Sequence, residues 1–228
     1  MKAAPGRRAS RAAIGRPRPA GQRLLDTYAS LAARGEHLLH ELIGEQVPHQ
    51  WQHYPDDDAI DPCSGYQWFY HSHAPEDRPD TLEHGHFHLF ARRPLWSRRL
   101  RSRAERDFAA LTGHADRQVH TRHLLAVGIN AKGLPISLFT VNSWVTGDLM
   151  LSSSGTQRLL ACMQLRTGNE AIDTVLESVV ALCRDEIVEL LARRDVTLAT
   201  RSTHDVLDDN GLEILSCLPI ALDAKLTA

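Results

Sequence analysis

Five histidines fall within eighteen positions of this chain: His71 and His73 in "YHSH", then His84, His86 and His88 in "EHGHFHLF". Neutral imidazole is a good ligand for zinc, iron, copper and nickel, with metal–nitrogen distances near about 2.0–2.1 Å. Strand side chains alternate faces, so an H-x-H pair on a strand points both rings the same way. If "YQWFYHSH" and "EHGHFHLFAR" pair as antiparallel strands whose partnered residue numbers sum to an odd value, all five rings share one surface. A slip of one residue separates the two sets. The spacing therefore predicts a site for a divalent transition metal (iron, zinc or copper) on His71, His73, His84, His86 and His88, with His123 joining from the next strand. Asp58, from the acidic run ahead of the first strand, and Glu83 are the acid–base candidates. Alternation puts Glu83 on the face opposite His84 unless a bulge intervenes. The plain alternative is a solvated or hydrogen-bonded histidine face. Five clustered imidazoles, with ordinary pKa values near about 6.5, repel one another when protonated, and a metal or partner carboxylates would relieve that cost.

These side chains need a scaffold. Trp68, Tyr70, Phe87 and Leu89 alternate with the histidines and mark the core side of the hairpin. His53, Tyr54 and Tyr70 crowd the first strand and are candidates for a ligand pocket, as are Asn142 and Trp144 in "FTVNSWVTGD". Apolar residues at helical spacing predict an amphipathic helix from Gln22 to about Gly44, with Gly35 as the place where it would split. Residues 49–65 read as a loop, 66–73 and 83–92 as strands, and 74–82 as the long turn between them. Residues 92–120 read as a basic, weakly structured insertion with seven arginines between 92 and 106 and a short helical pattern ending near Gly113. Strands 122–129 and 135–144 turn through residues 130–133. A short helix at 156–166, a long one from Asn169 to Leu198 and a last strand in "GLEILSCLPIAL" complete the chain. This order predicts a single α+β domain over 22–225, an antiparallel sheet of about five strands with helices packed on one face, behind a disordered basic tail at 1–21.

Composition narrows the function. The net charge of −2 excludes a general polyanion binder, and 23 arginines against three lysines point to a bacterial, GC-rich origin. The Arg-rich insertion with Trp96 is the one feature resembling a nucleic-acid footprint, but its spacing fits no base-reading motif. No run of about 18 apolar residues predicts a membrane span. Cys63, Cys162, Cys183 and Cys217 are scattered, which suits a reduced, cytoplasmic chain. There is no phosphate-binding, dinucleotide-binding or nucleophile-elbow motif. The segments "HYPDDDAIDPCSGYQWFYHSH", "EHGHFHLF", "LPISLFTVNSWVTGD" and "LEILSCLPIAL" resemble an uncharacterised bacterial domain family of unknown function. The resemblance covers most of residues 50–222 and implies one domain and a bacterial origin, with no mechanism. Three functional readings follow, in order: a histidine-rich metal-binding protein acting as oxidoreductase or hydrolase; a non-catalytic module for a small ligand or haem; an arginine-mediated nucleic-acid binder. The oligomeric state is left open by the sequence.

Overall fold

The computed structural model describes residues 19–44, 48–50, 52–73, 82–113, 119–201 and 206–227. The predicted 74–82 turn falls almost wholly, and the basic tail up to residue 18 entirely, outside the described residues. The chain forms one α+β domain around a single sheet. Its strands are β1 (Tyr54–Ile60), β2 (Tyr66–Ser72), β3 (Glu83–Arg92), β4 (Thr121–Asn130), β5 (Pro135–Val141), β6 (Leu149–Met150) and β7 (Ile214–Pro219). They lie in the order β1-β2-β3-β4-β5-β7, all antiparallel, with β6 parallel to β4. The sheet thus has seven described strands, not five. β6 is too short to leave an alternation. β1 forms where a loop is expected from Pro55 and three aspartates, residues depleted in strands but tolerated on an edge, which is where β1 lies.

The helices are α1 (Ala20–Ala33), α2 (His40–Ile43), α3 (Arg93–Trp96), α4 (Arg103–Thr112), α5 (Ser143–Thr146), α6 (Ser153–Ala161), α7 (Glu170–Leu182), α8 (Arg184–Thr200) and α9 (Leu222–Leu226). The predicted 22–44 helix divides at Gly35, whose φ of 69° lets the chain turn left-handed. There the Gly35 amide donates to Ala32 O and the Glu36 amide to Leu31 O, closing α1 with the paired bonds of a Schellman motif. The long 169–198 helix is two, broken at Cys183 (φ −102°, ψ 32°). The apolar stripe runs through the break, so periodicity alone does not reveal it. The short 156–166 helix starts earlier, at Ser153, behind Ser152, whose hydroxyl accepts from the Gly155 amide. The Arg-rich insertion is better ordered than its composition suggested: Ser102 caps α4, Gly113 ends it in the left-handed region, and Phe108 is buried.

The apolar face of β2, β3 and β4 (Trp68, Tyr70, Phe87, Leu89, Leu125 and Val127) forms one cluster with residues of α1, α6, α7 and the first half of α8. Two polar ties fix this layer: Tyr66 donates to Leu159 O at 2.8 Å, and the Trp68 indole to Asp173 Oδ1 at 2.9 Å. Burial of each large apolar side chain there contributes on the order of 1.5–3 kcal/mol. A smaller cluster joins Phe108, Leu149, Met150, Leu198 and Leu207. Helices therefore cover the face opposite the histidines. No described helix is long and apolar enough to cross a membrane.

Candidate metal centre

The β2–β3 register pairs Phe69 with His88, Tyr70 with Phe87 and His71 with His86. Each pair sums to an odd number, so His71, His86 and His88 project together, and the His73 amide continues the ladder by donating to His84 O. In β4, Ala126 lies opposite His88, Gly128 opposite His86 and His123 opposite Phe90. The imidazoles form a connected row. His71 Nε2 lies 2.6 Å from His86 Nε2, which lies 2.9 Å from His88 Nε2, and His88 Nδ1 lies 3.0 Å from His123 Nε2. His73 Nε2 lies 3.2 Å from His86 Nδ1. One ring nitrogen from each of His71, His73 and His86 falls within a common 4.8 Å, a group that could hold a metal ion. His71, His86, His88 and His123 are buried, while His73 is half-buried.

His84 does not join them. The ladder shifts between Glu83 and Gly85, making His84 the extra residue of a bulge. The bulge inverts the alternation at the start of β3. His84 turns to the core side, where its Nδ1 lies 2.6 Å from the Tyr70 hydroxyl, so both of those predicted site residues are engaged away from the row. Glu83 turns to the histidine side, where Oε1 lies 2.9 Å from His86 Nδ1 and Oε2 accepts from Ser137 Oγ at 3.3 Å. Gly128 makes room for this carboxylate: a Cβ there would collide with Glu83 Oε2 and Ser137 Oγ. Sequence reasoning missed Ser137 and Gly128. A lone glycine inside "LLAVGIN" was the available signal for close approach.

The carboxylate fixes the proton of His86. An acceptor at Nδ1 holds N–H there and leaves Nε2 with a bare lone pair, facing His71 and His88. This is the carboxylate–histidine arrangement that orients metal ligands and raises their basicity. His88 and His123 are also held toward the neutral form. Burial pushes the His88 pKa well below its usual range, with His123 and His71 adding to the shift. Burial, and then Arg194, push His123 down to about 3. Neutral imidazole is the form that binds metal. His123 Nδ1 is buried without a partner.

The remaining predicted residues divide in two. His53 and Asp58 lie beside the row: His53 Nδ1 is 2.9 Å from Asp58 Oδ1, and its ring stacks on Phe69 at 3.7 Å. Gln67 donates to Asp58 Oδ2 at 2.6 Å, and Asp58 takes φ 54° within the irregular part of β1. Tyr54, Asn142 and Trp144 do not converge there. Tyr54 packs toward the apolar cluster and receives the His49 amide. Asn142 caps α5 and donates to Val206 O, and the Trp144 indole donates to Leu212 O. The strand expected to reach residue 144 ends at Val141, so Asn142 and Trp144 lie in a cap and a helical turn rather than on one strand face. Trp96 is buried with the Arg122 guanidinium 4.1 Å above its ring, which removes it as a base-stacking platform. His120 lines a separate cavity of about 270 Å³ with Cys63 and Arg92. A family model described as "Domain of unknown function (DUF6969)" matches residues 18–220. No curated protein and no solved structure matches the chain.

Proposed function

This chain belongs to the DUF6969 family, and from its own geometry we propose that it binds one divalent transition metal ion on imidazoles of β2 and β3. The observation that carries the reading is the Nε2 lone pair of His86, fixed by Glu83 and facing two further imidazole nitrogens at 2.6 and 2.9 Å. Nitrogens sharing an ion at about 2.0–2.1 Å sit roughly 3–3.5 Å apart, close to the spacing of this row. His71 and His86 are the central ligands, with His88 and His73 completing the set. Glu83 orients His86 rather than serving as base. His53, held by Asp58, is the half-exposed acid–base pair beside the row.

A bound ion would supply Lewis-acid polarisation or an activated water or dioxygen, which is the chemistry of a metal-dependent hydrolase or oxidoreductase. An all-imidazole set adds no negative charge, so the ion keeps its full charge for an anionic substrate. Iron, zinc and copper all suit such ligands. A bacterial cytoplasm fits the arginine-rich composition and the four free cysteines. Elemental analysis of purified, tag-free protein tests the reading. About one equivalent of metal is expected in the wild type and in His84→Ala, and none in His86→Ala. Equal metal content in the two variants, or none in the wild type after anaerobic reloading with iron, zinc or copper, would overturn it.

A further inference from the structure

We propose that a cleft among the helices, on the side of the sheet away from the imidazoles, binds a small carboxylate with an apolar body. The cleft, of about 670 Å³, lies between α6, the 163–166 segment, the second half of α7 and the start of α8. That volume is in the range of small-molecule sites. Leu160, Met163, Leu165, Val180 and Ile187 wall it, and all belong to the same apolar cluster as the core face of the sheet. Val188, also in the wall, is 48% exposed.

The charges around this apolar wall are one-sided. Arg23, Arg158, Arg166 and Arg184 line the cleft against a single acid, Glu177, an excess of three positive charges (four less one) in a chain whose net charge is −2. Glu177 is already committed: Oε1 accepts the Leu165 amide at 2.7 Å and Oε2 lies 3.6 Å from Arg23. Arg23 Nε is buried without a hydrogen-bond partner. Among the described residues, Arg158, Arg166 and Arg184 enter no ion pair. Guanidinium groups match carboxylates through paired charge-assisted bonds, so several of them around a hollow lined in part by apolar side chains suit an anionic head on an apolar body. A cation or a neutral hydrocarbon would leave them unused.

Titration calorimetry on the full chain tests this, with decanoate as probe below the concentration at which it self-associates. One saturable site is expected, with decyltrimethylammonium and acetate each at least about tenfold weaker, because one lacks the head and the other the body. The exposed double variant Arg158→Gln/Arg184→Gln should weaken decanoate by about tenfold or more without changing the circular dichroism spectrum. Ala181→Trp, which fills the hollow and leaves the charges in place, should weaken it as well. His86→Ala should leave decanoate binding unchanged, which separates this site from the metal reading. Equal binding of the cationic and anionic probes, an unaltered double variant, or binding of phosphatidylglycerol vesicles without binding of monomeric decanoate would each overturn the proposal.

Discussion

The two faces of β2 and β3 are made from the same two runs of residues, read alternately, and both are withdrawn from water. Trp68, Tyr70, Phe87 and Leu89 are at most 1% exposed on one face, and His86 and His88 at most 2% on the other. What differs is the cost of burial. Apolar side chains need only neighbours, whereas each imidazole brings two nitrogens that must be partnered or suffer desolvation. The helical layer supplies neighbours to the first face. The second face supplies partners from within its own row, plus Glu83, which is itself held by Ser137. Equal burial therefore gives stability on one side and a set of oriented lone pairs on the other.

Three perturbations would sharpen or break that contrast. The largest effect is expected on the apolar face: Trp68→Ala should cost about 3–5 kcal/mol, the same with metal or with chelator, as read from denaturant unfolding. A loss that depends on metal would mean the two faces are not energetically separate.

Acid comes next. The folded-state pKa values of His88 and His123 lie below the unfolded value of about 6.5. Below that pH the unfolded chain takes up protons that the folded chain refuses. Stability is thus complete above about pH 6.5 and falls as pH drops from there toward about 3, where His123 itself titrates. His123 should contribute about 1.4 kcal/mol per pH unit inside that window, and His88 adds in the same direction. Unfolding of chelated protein between pH 7 and pH 5 measures the slope, and His123→Phe should reduce it. A flat profile would show that His88 and His123 take up protons in the folded chain as readily as in the unfolded one.

The smallest effect concerns the carboxylate. Glu83→Gln should weaken metal affinity by about 10–100-fold at unchanged stoichiometry, measured by competition with a calibrated chelator. Gly128→Ala, which pushes against Glu83, should act in the same direction. If Glu83→Gln abolishes binding outright, Glu83 is itself a ligand rather than an orienting group.

Much of this was legible in the sequence where alternation carries the information. The odd-sum register and the core side of the hairpin follow from period two, whereas His123 reaches the histidine face only because the β3–β4 ladder shifts at Leu124, which alternation does not predict. The bulge at His84 was equally hidden, because one extra residue changes no composition and leaves the same letters in the same order. It exchanged the sides of His84 and Glu83, one a predicted ligand and the other a predicted base. The same limit hid the capping role of Asn142: "VNSWVTG" alternates plausibly, but an asparagine that caps a helical turn ends the strand first. Gly35 was visible as a break because its freedom of φ is a property of the residue, whereas Cys183 has no such mark.

The 2.6 Å approach of His71 to His86 joins residues fifteen apart in the chain. An ion held by both would therefore act as a removable crosslink that exists only in the folded chain, and it would stabilise the fold in proportion to how far its free concentration exceeds its dissociation constant. Metal supply would then set how long the hairpin survives a protease, whatever reaction the ion performs.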